Sequence, residues 1–175
     1  MAGVRNPPVV PVPPGLVTCR ALIAYDDAAR RALVGLKNRD ERGRVSGWAD
    51  ALAPLVPSVD GLVVTWAPTG AARRRRRGFD QAELLARAVA RRRRLPVAGL
   101  LRRLPGAAQA GRNARDRQAN PAFAARRPCL HPVLVIDDVA TTGATLSAAA
   151  RALIGAGSPA VHGLVVARAA RPAAL

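Results

Sequence analysis

Short, fully apolar runs alternate with segments of helical period along most of this chain. Residues 133–136 read Val-Leu-Val-Ile, residues 62–66 Leu-Val-Val-Thr-Trp, and residues 161–167 are again mostly apolar or small. Runs of that length without a polar face predict strands buried on both sides of a sheet. Residues 16–25 are apolar enough for another strand, and residues 97–101 for a short one. Three intervening segments, 28–37, 47–56 and 81–93, place their apolar residues at helical spacing, as does an alanine-leucine run ending near Leu153.

Boundary residues sharpen these assignments. Asp26 and Asp27 can cap the first helix; Ser46 caps the second and Pro57 ends it. The second should turn Trp48, Leu52 and Leu55 to one side. Asp80 or Gln81 starts the third, which carries Leu84, Leu85, Ala88 and Val89 inward. Thr141 or Thr142 caps the fourth, and Gly155, Gly157 and Pro159 stop it. Alternation of strand and helix from residue 62 onward predicts a mainly parallel, twisted α/β sheet with helices on both faces. Right-handed crossovers then bring the loops at 67–72 and 137–145 to one carboxyl edge, where open α/β sheets bind ligands.

Outside that alternation lie two irregular stretches. Residues 1–15, with five prolines, read as a flexible lead-in. Residues 102–127 are arginine-rich with little periodicity, the mark of a functional or mobile loop. Residues 16–175 form a single domain, with a core at 61–170, and its length allows a sizeable interior.

Charge changes the picture. A net charge of +17 rests on 27 arginines and the single Lys37. Such a surface favours polyanions: nucleic acid, pyrophosphate-bearing metabolites or anionic lipid. Five arginines at 73–77 precede a helix start, where cations are unfavourable unless an anion joins them; Arg91 to Arg94 end the same helix, where cations belong. Only five aromatic residues occur, so any single-stranded DNA binding would be electrostatic and steeply salt-dependent rather than built on base stacking. Cys19 and Cys129 are far apart and in no metal-ligand spacing. With no apolar run of membrane-spanning length and no signal-peptide core, a cytoplasmic location is expected. His131 and His162 stand in no triad or metal spacing.

The chemistry concentrates at 133–153. A buried strand runs into Asp137 and Asp138, then into Ala140-Thr141-Thr142-Gly143-Ala144-Thr145, then into a helix. Free amides at a helix start form an anion site, threonine hydroxyls add donors, and Gly143 lets the main chain approach a phosphate. Carboxylates at the strand end can accept from vicinal hydroxyls. A ligand with a phosphate at one end and a sugar diol in the middle satisfies both. The bland alternative is that the aspartates merely cap the helix. No lysine follows the glycine, so an ordinary nucleotide P-loop is disfavoured.

VLVIDDVATTGATL resembles the phosphoribosyl-pyrophosphate (PRPP) signature of the type I phosphoribosyltransferases. WAPTGAARRRRRGFDQAELLARAVA resembles the loop, arginines and R-G-F-N-Q-a-e-L-L-A run of ComF-type competence-associated proteins. QAGRNARDRQANPAF and YDDAARRALVGLK resemble two further elements of that family, so the likeness spans roughly residues 21–167. It departs in two places. The four-cysteine zinc ribbon of many members is missing, so no zinc is expected. Asp80 stands where the family has asparagine, adding a negative charge near the pyrophosphate position.

The resemblance implies a type I phosphoribosyltransferase fold with a small hood from residues 16–60. It implies that Asp137 and Asp138 hold the ribose hydroxyls and act at the catalytic centre, and that Ala140, Thr141, Thr142, Gly143, Ala144 and Thr145 hold the 5-phosphate. Pro68, Thr69 and Gly70 would form the pyrophosphate loop, with Arg76 and Arg77 as charge partners. Lys37, Gln109, Arg115, Arg117 and Asn120 would be substrate or closing-loop contacts. Magnesium would arrive with PRPP, with no direct protein ligand. The expected activity is transfer of phosphoribose to an unidentified nitrogen acceptor. The alternative is a non-catalytic competence factor that handles single-stranded DNA, or meets DNA-uptake proteins, through its basic surface. A regulator that binds PRPP without turnover is a third outcome, and a homodimer is left open.

Overall fold

A computed structural model of the chain describes residues 11–24, 41–71, 74–75, 78–104 and 121–168. Within these, the elements are β1 (Thr18–Ala24), α1 (Glu41–Leu52) followed by a 3-10 turn (Ala53–Leu55), β2 (Val63–Trp66), α2 (Gln81–Arg93), β3 (Leu101–Arg103), β4 (Phe123–Ala125), β5 (Val133–Ala140), α3 (Ala144–Ile154) and β6 (Val161–Arg168). Four strands form one sheet in the order β1-β6-β5-β2, and each neighbouring pair is parallel. A separate antiparallel ribbon pairs β3 with β4.

The apolar runs dictate this layering. In β5, Val133 and Val135 face one side of the sheet, Leu134 and Ile136 the other, as the two-residue period of a strand requires. Leu134 and Ile136 meet Leu52 of α1 and Leu85 and Val89 of α2. Val133 and Val135 meet Leu146 and Leu153 of α3, with Leu101 and Phe123 of the ribbon beside them. All eight residues of β6 are buried. Each buried valine, leucine, isoleucine or phenylalanine among these contributes roughly 1.5–3 kcal/mol. An exposed ion pair such as Arg87–Glu83 contributes about 0–1 kcal/mol, so the sheet–helix seams hold the layers together.

Several boundaries differ from the sequence expectation. Ser46 lies inside α1 rather than at its start; its hydroxyl and carbonyl both accept from Arg92 Nη2, at 2.7 and 3.0 Å, tying α1 to α2. In α2 the buried face runs through Ala82, Leu85, Ala86 and Val89, which leaves Leu84 half-buried at its margin. Residues 97–101 are not a strand of the main sheet. Val97 makes a single parallel bridge to Val64 on the outer edge of β2, and the chain then turns into β3. The stretch 102–127 is not one continuous loop either: β3 and β4 pair across it, and the Leu104 N–H donates to the Ala122 carbonyl at 2.9 Å.

Of the segment expected to form a small hood, residues 16–60, the described parts join the main layers. β1 is an edge strand of the main sheet, paired with β6 from Thr18 to Ala24, and α1 packs into the main core. Its apolar residues have a sheet edge and a helix face to cover, so they are absorbed into the layers. Residues 25–40 of that segment, with the expected helix at 28–37, lie outside the described residues. Of the expected lead-in, residues 1–10 lie outside too, whereas Pro13 is buried and its carbonyl accepts the Leu16 N–H at 3.2 Å.

Candidate functional site

The site is built where β5 runs out of the sheet. Pairing with β6 continues past the apolar run, through Asp137↔Val165 to Ala140↔Arg168, so both aspartates sit in the last four residues of a strand rather than in a loop. Both are half-buried. The Asp137 carboxylate accepts the Asp138 N–H at 2.9 Å, and the Asp138 carboxylate accepts the Val139 N–H at 2.7 Å. The ion pairs among the described residues are Arg87–Glu83 and Arg92–Asp50, and neither draws on Asp137 or Asp138. Burial pushes the Asp137 carboxyl well above the usual carboxylate range, and the charges of Asp138 and Asp80 push it further; only the Asp138 N–H works the other way. Two acids this close do not both ionise freely, so a shared site can both donate to and accept from hydroxyls.

Beyond Ala140 the chain turns through Gly143, at φ 78° and ψ 2°, into α3. That left-handed conformation explains why glycine, and not Thr141 or Thr142, takes the cap position. Gly143 offers no side chain to the first turn. Thr142 Oγ1 supplies one acceptor, taking the Ala144 N–H at 3.3 Å. Thr141 and Thr142 are exposed, and residues Val139 to Leu146 line a cavity of about 130 Å³. Water occupies about 30 Å³ in the liquid, so the cavity suits a group the size of a few waters. Larger hollows lie elsewhere, about 520 Å³ between α3 and β4 and about 400 Å³ at the amino-terminal end of β2 and β5. Neither brings carboxylates together, and we place the site at the smaller one on chemistry.

The second loop arrives from β2. Trp66 pairs with Ile136, and the Ala67 N–H donates to the Ile136 carbonyl at 3.1 Å, so Pro68, Thr69 and Gly70 leave the sheet beside the aspartates. Asp80 fixes this loop. It is 5% exposed; one carboxylate oxygen caps α2 by accepting the Ala82 N–H at 3.2 Å, and the other accepts the Thr69 N–H at 2.8 Å. The Gly70 carbonyl accepts the Arg74 N–H at 3.0 Å, which begins a helical turn that holds Arg74 and Arg75 outward. Arg103 of the ribbon approaches the same loop, its Nε 3.9 Å from the position a Cβ would take at Gly70, while its guanidinium lies over the Phe123 ring at 5.7 Å.

Of the residues singled out in the sequence, the structure brings Asp137, Asp138, the 140–145 turn and residues 68–70 to one edge of the sheet. Lys37, Arg76, Arg77, Gln109, Arg115, Arg117 and Asn120 lie outside the described residues. Three neighbours of the site escaped sequence reasoning. Arg103 and Arg168 were hidden among 27 arginines, with nothing in their spacing to set them apart. Pro13 was hidden in a proline-rich run, yet its Cγ lies 2.9 Å from where a Cβ would stand on Gly143. Among the described residues no group of three or more His, Cys, Asp or Glu side chains is placed to hold a metal ion. No helix among them is long and apolar enough to cross a membrane. No protein-family model and no curated protein matches the chain.

Proposed function

We propose that the chain has a type I phosphoribosyltransferase-like fold, binds PRPP with magnesium at the carboxyl edge of its sheet, and transfers the phosphoribosyl group to a nitrogen acceptor. One observation carries this reading: an acid pair free of cationic partners among the described residues stands directly before a left-handed glycine turn that opens a helix over a small cavity. Amides and threonine hydroxyls of the turn suit the 5-phosphate, and Asp137 and Asp138 suit the ribose diol.

Magnesium takes oxygen ligands and keeps several of its waters. Such an ion would ride in on the substrate phosphates, with Asp137 and Asp138 meeting it through the ribose hydroxyls or water rather than as direct ligands. In the transfer, the C1–O bond to pyrophosphate breaks, a C1–N bond forms, and the acceptor nitrogen gives up a proton. Positive charge develops at C1 and negative charge on the departing pyrophosphate. The basic flank of the 68–70 loop, including Arg103, meets the latter. Asp80 holds the Thr69 amide, so that donor is already engaged before substrate arrives.

Calorimetry with PRPP and magnesium tests the reading, on the native protein and on Asp137→Asn combined with Asp138→Asn. Micromolar to millimolar binding by the native chain and none by the double variant is expected. Absence of heat from the native protein at millimolar PRPP refutes it. The +17 charge favours the second reading, a non-catalytic module for single-stranded DNA. PRPP-independent DNA binding that collapses with salt, together with silence toward PRPP, would support that module instead.

A further inference from the structure

The end of β6 carries a cation that no described carboxylate neutralises. Arg168 is only 6% exposed, and the register of β6 against β5 sets it opposite Ala140, where the turn begins. Its Nη1 donates to Cys19 Sγ at 3.3 Å, and its Nη2 lies 3.7 Å from the position a Cβ would take at Gly143. Cys19 is no counter-ion. Burial pushes its thiol up despite the neighbouring guanidinium, so the sulfur stays protonated at neutral pH. Among the described residues no carboxylate pairs with Arg168.

A guanidinium withdrawn from water without a counter-charge is destabilising, and its natural complement is an anion. The nearest place for one is the mouth of α3, where the helix dipole already favours negative charge. Nucleotide P-loops bring their own lysine to that position. This turn has none, and a neighbouring strand presents an arginine to the same glycine.

We propose that Arg168 is the cationic half of an anion site whose other half is the 140–145 turn, and that it tunes this turn for a doubly charged phosphate monoester. It acts as a positioning residue, holding the Gly143 end of the turn at positive potential from behind the cavity lined by Val139 to Leu146. What the phosphate is attached to rests on the phosphoribosyl reading above; the anion site itself does not.

Two substitutions test this against inorganic phosphate, ribose 5-phosphate and PRPP. Arg168→Met removes the charge and most of the shape remains, while Arg168→Lys keeps the charge. The first should weaken all three ligands at least tenfold and the second no more than about fivefold. Cys19→Asp supplies a counter-ion in place without removing the arginine, so it should melt at or above the native temperature yet also bind phosphate at least tenfold more weakly. That opposite movement of stability and affinity is one a merely structural arginine would not produce, and it keeps the test decisive should Arg168→Met fail to fold.

Native-like phosphate affinity in a folded Arg168→Met or Cys19→Asp protein overturns the proposal, whether or not PRPP binds. Phosphate binding that depends on Arg168, without PRPP binding, upholds the anion site and removes the phosphoribosyl reading. A native protein that takes none of the three ligands overturns both.

Discussion

Removing the Asp80 carboxylate should loosen the chain at two points at once. Alanine there deletes the cap of α2, which costs about 1 kcal/mol at a typical helix start. It also deletes a charged acceptor from the Thr69 N–H, and hydrogen bonds to charged groups contribute about 1.5–3 kcal/mol. Relief of repulsion toward Asp137 offsets part of that loss, since Asp80 lies close enough to raise the Asp137 pKa. A net destabilisation of about 2–3 kcal/mol is expected, which in a chain of this size lowers the melting temperature by roughly 5–10 °C. Asp80→Asn separates the two contacts. Its one carbonyl oxygen can still cap α2 through the Ala82 N–H, but its amide group cannot accept from Thr69, so about half the loss should remain. Urea denaturation followed by circular dichroism measures both, and the expected order is native, asparagine, alanine. If the alanine variant is within 0.5 kcal/mol of native by that assay, the account of Asp80 as the tie between loop and helix is wrong.

Three further outcomes follow from the same geometry. Because the folded chain raises the Asp137 pKa, it binds more protons than the unfolded chain above about pH 4, and stability falls as pH rises from there toward the elevated value. Asp137→Asn should therefore stabilise the fold at pH 7–8 and leave it unchanged near pH 4, while abolishing PRPP binding; thermal melts at the two pH values check the sign. Gly143→Ala must place a side chain at φ 78° and against Pro13, so a loss of roughly 1–3 kcal/mol and of anion binding is expected by denaturation and calorimetry. Burial, and then the Arg20 charge, lowers the pKa of His162, whose Nδ1 hydrogen-bonds Thr18 Oγ1 at 2.9 Å. Its contribution is present above pH about 6.5 and is lost as pH falls through the lowered value; His162→Asn should flatten the melting temperature over that acid range.

What the sequence determined by itself is the local order of things. A buried strand is legible in Val133 to Ile136 because a parallel strand covered on both faces needs no polar alternation. The helix at Gln81–Arg93 is legible because its cap and its apolar spacing are written within a few residues. The acid pair followed by a glycine turn is legible for the same reason: the chemistry of that site is contiguous. Sheet order, and everything that depends on it, required the tertiary structure. Only the placement of β6 between β1 and β5 sets Arg168 opposite Ala140 and lets it reach Cys19, 149 positions away in the chain. Only the pairing of β3 with β4 turns an arginine-rich stretch without periodicity into a ribbon that brings Arg103 to Gly70. Asp80 was visible as a helix cap but not as the anchor of Thr69, because a cap is a contact between near neighbours whereas the anchor depends on where β2 ends. Short-range contacts are fixed by residue type and spacing; the neutralisation of a buried charge, or its absence, is fixed by which strand lies next to which.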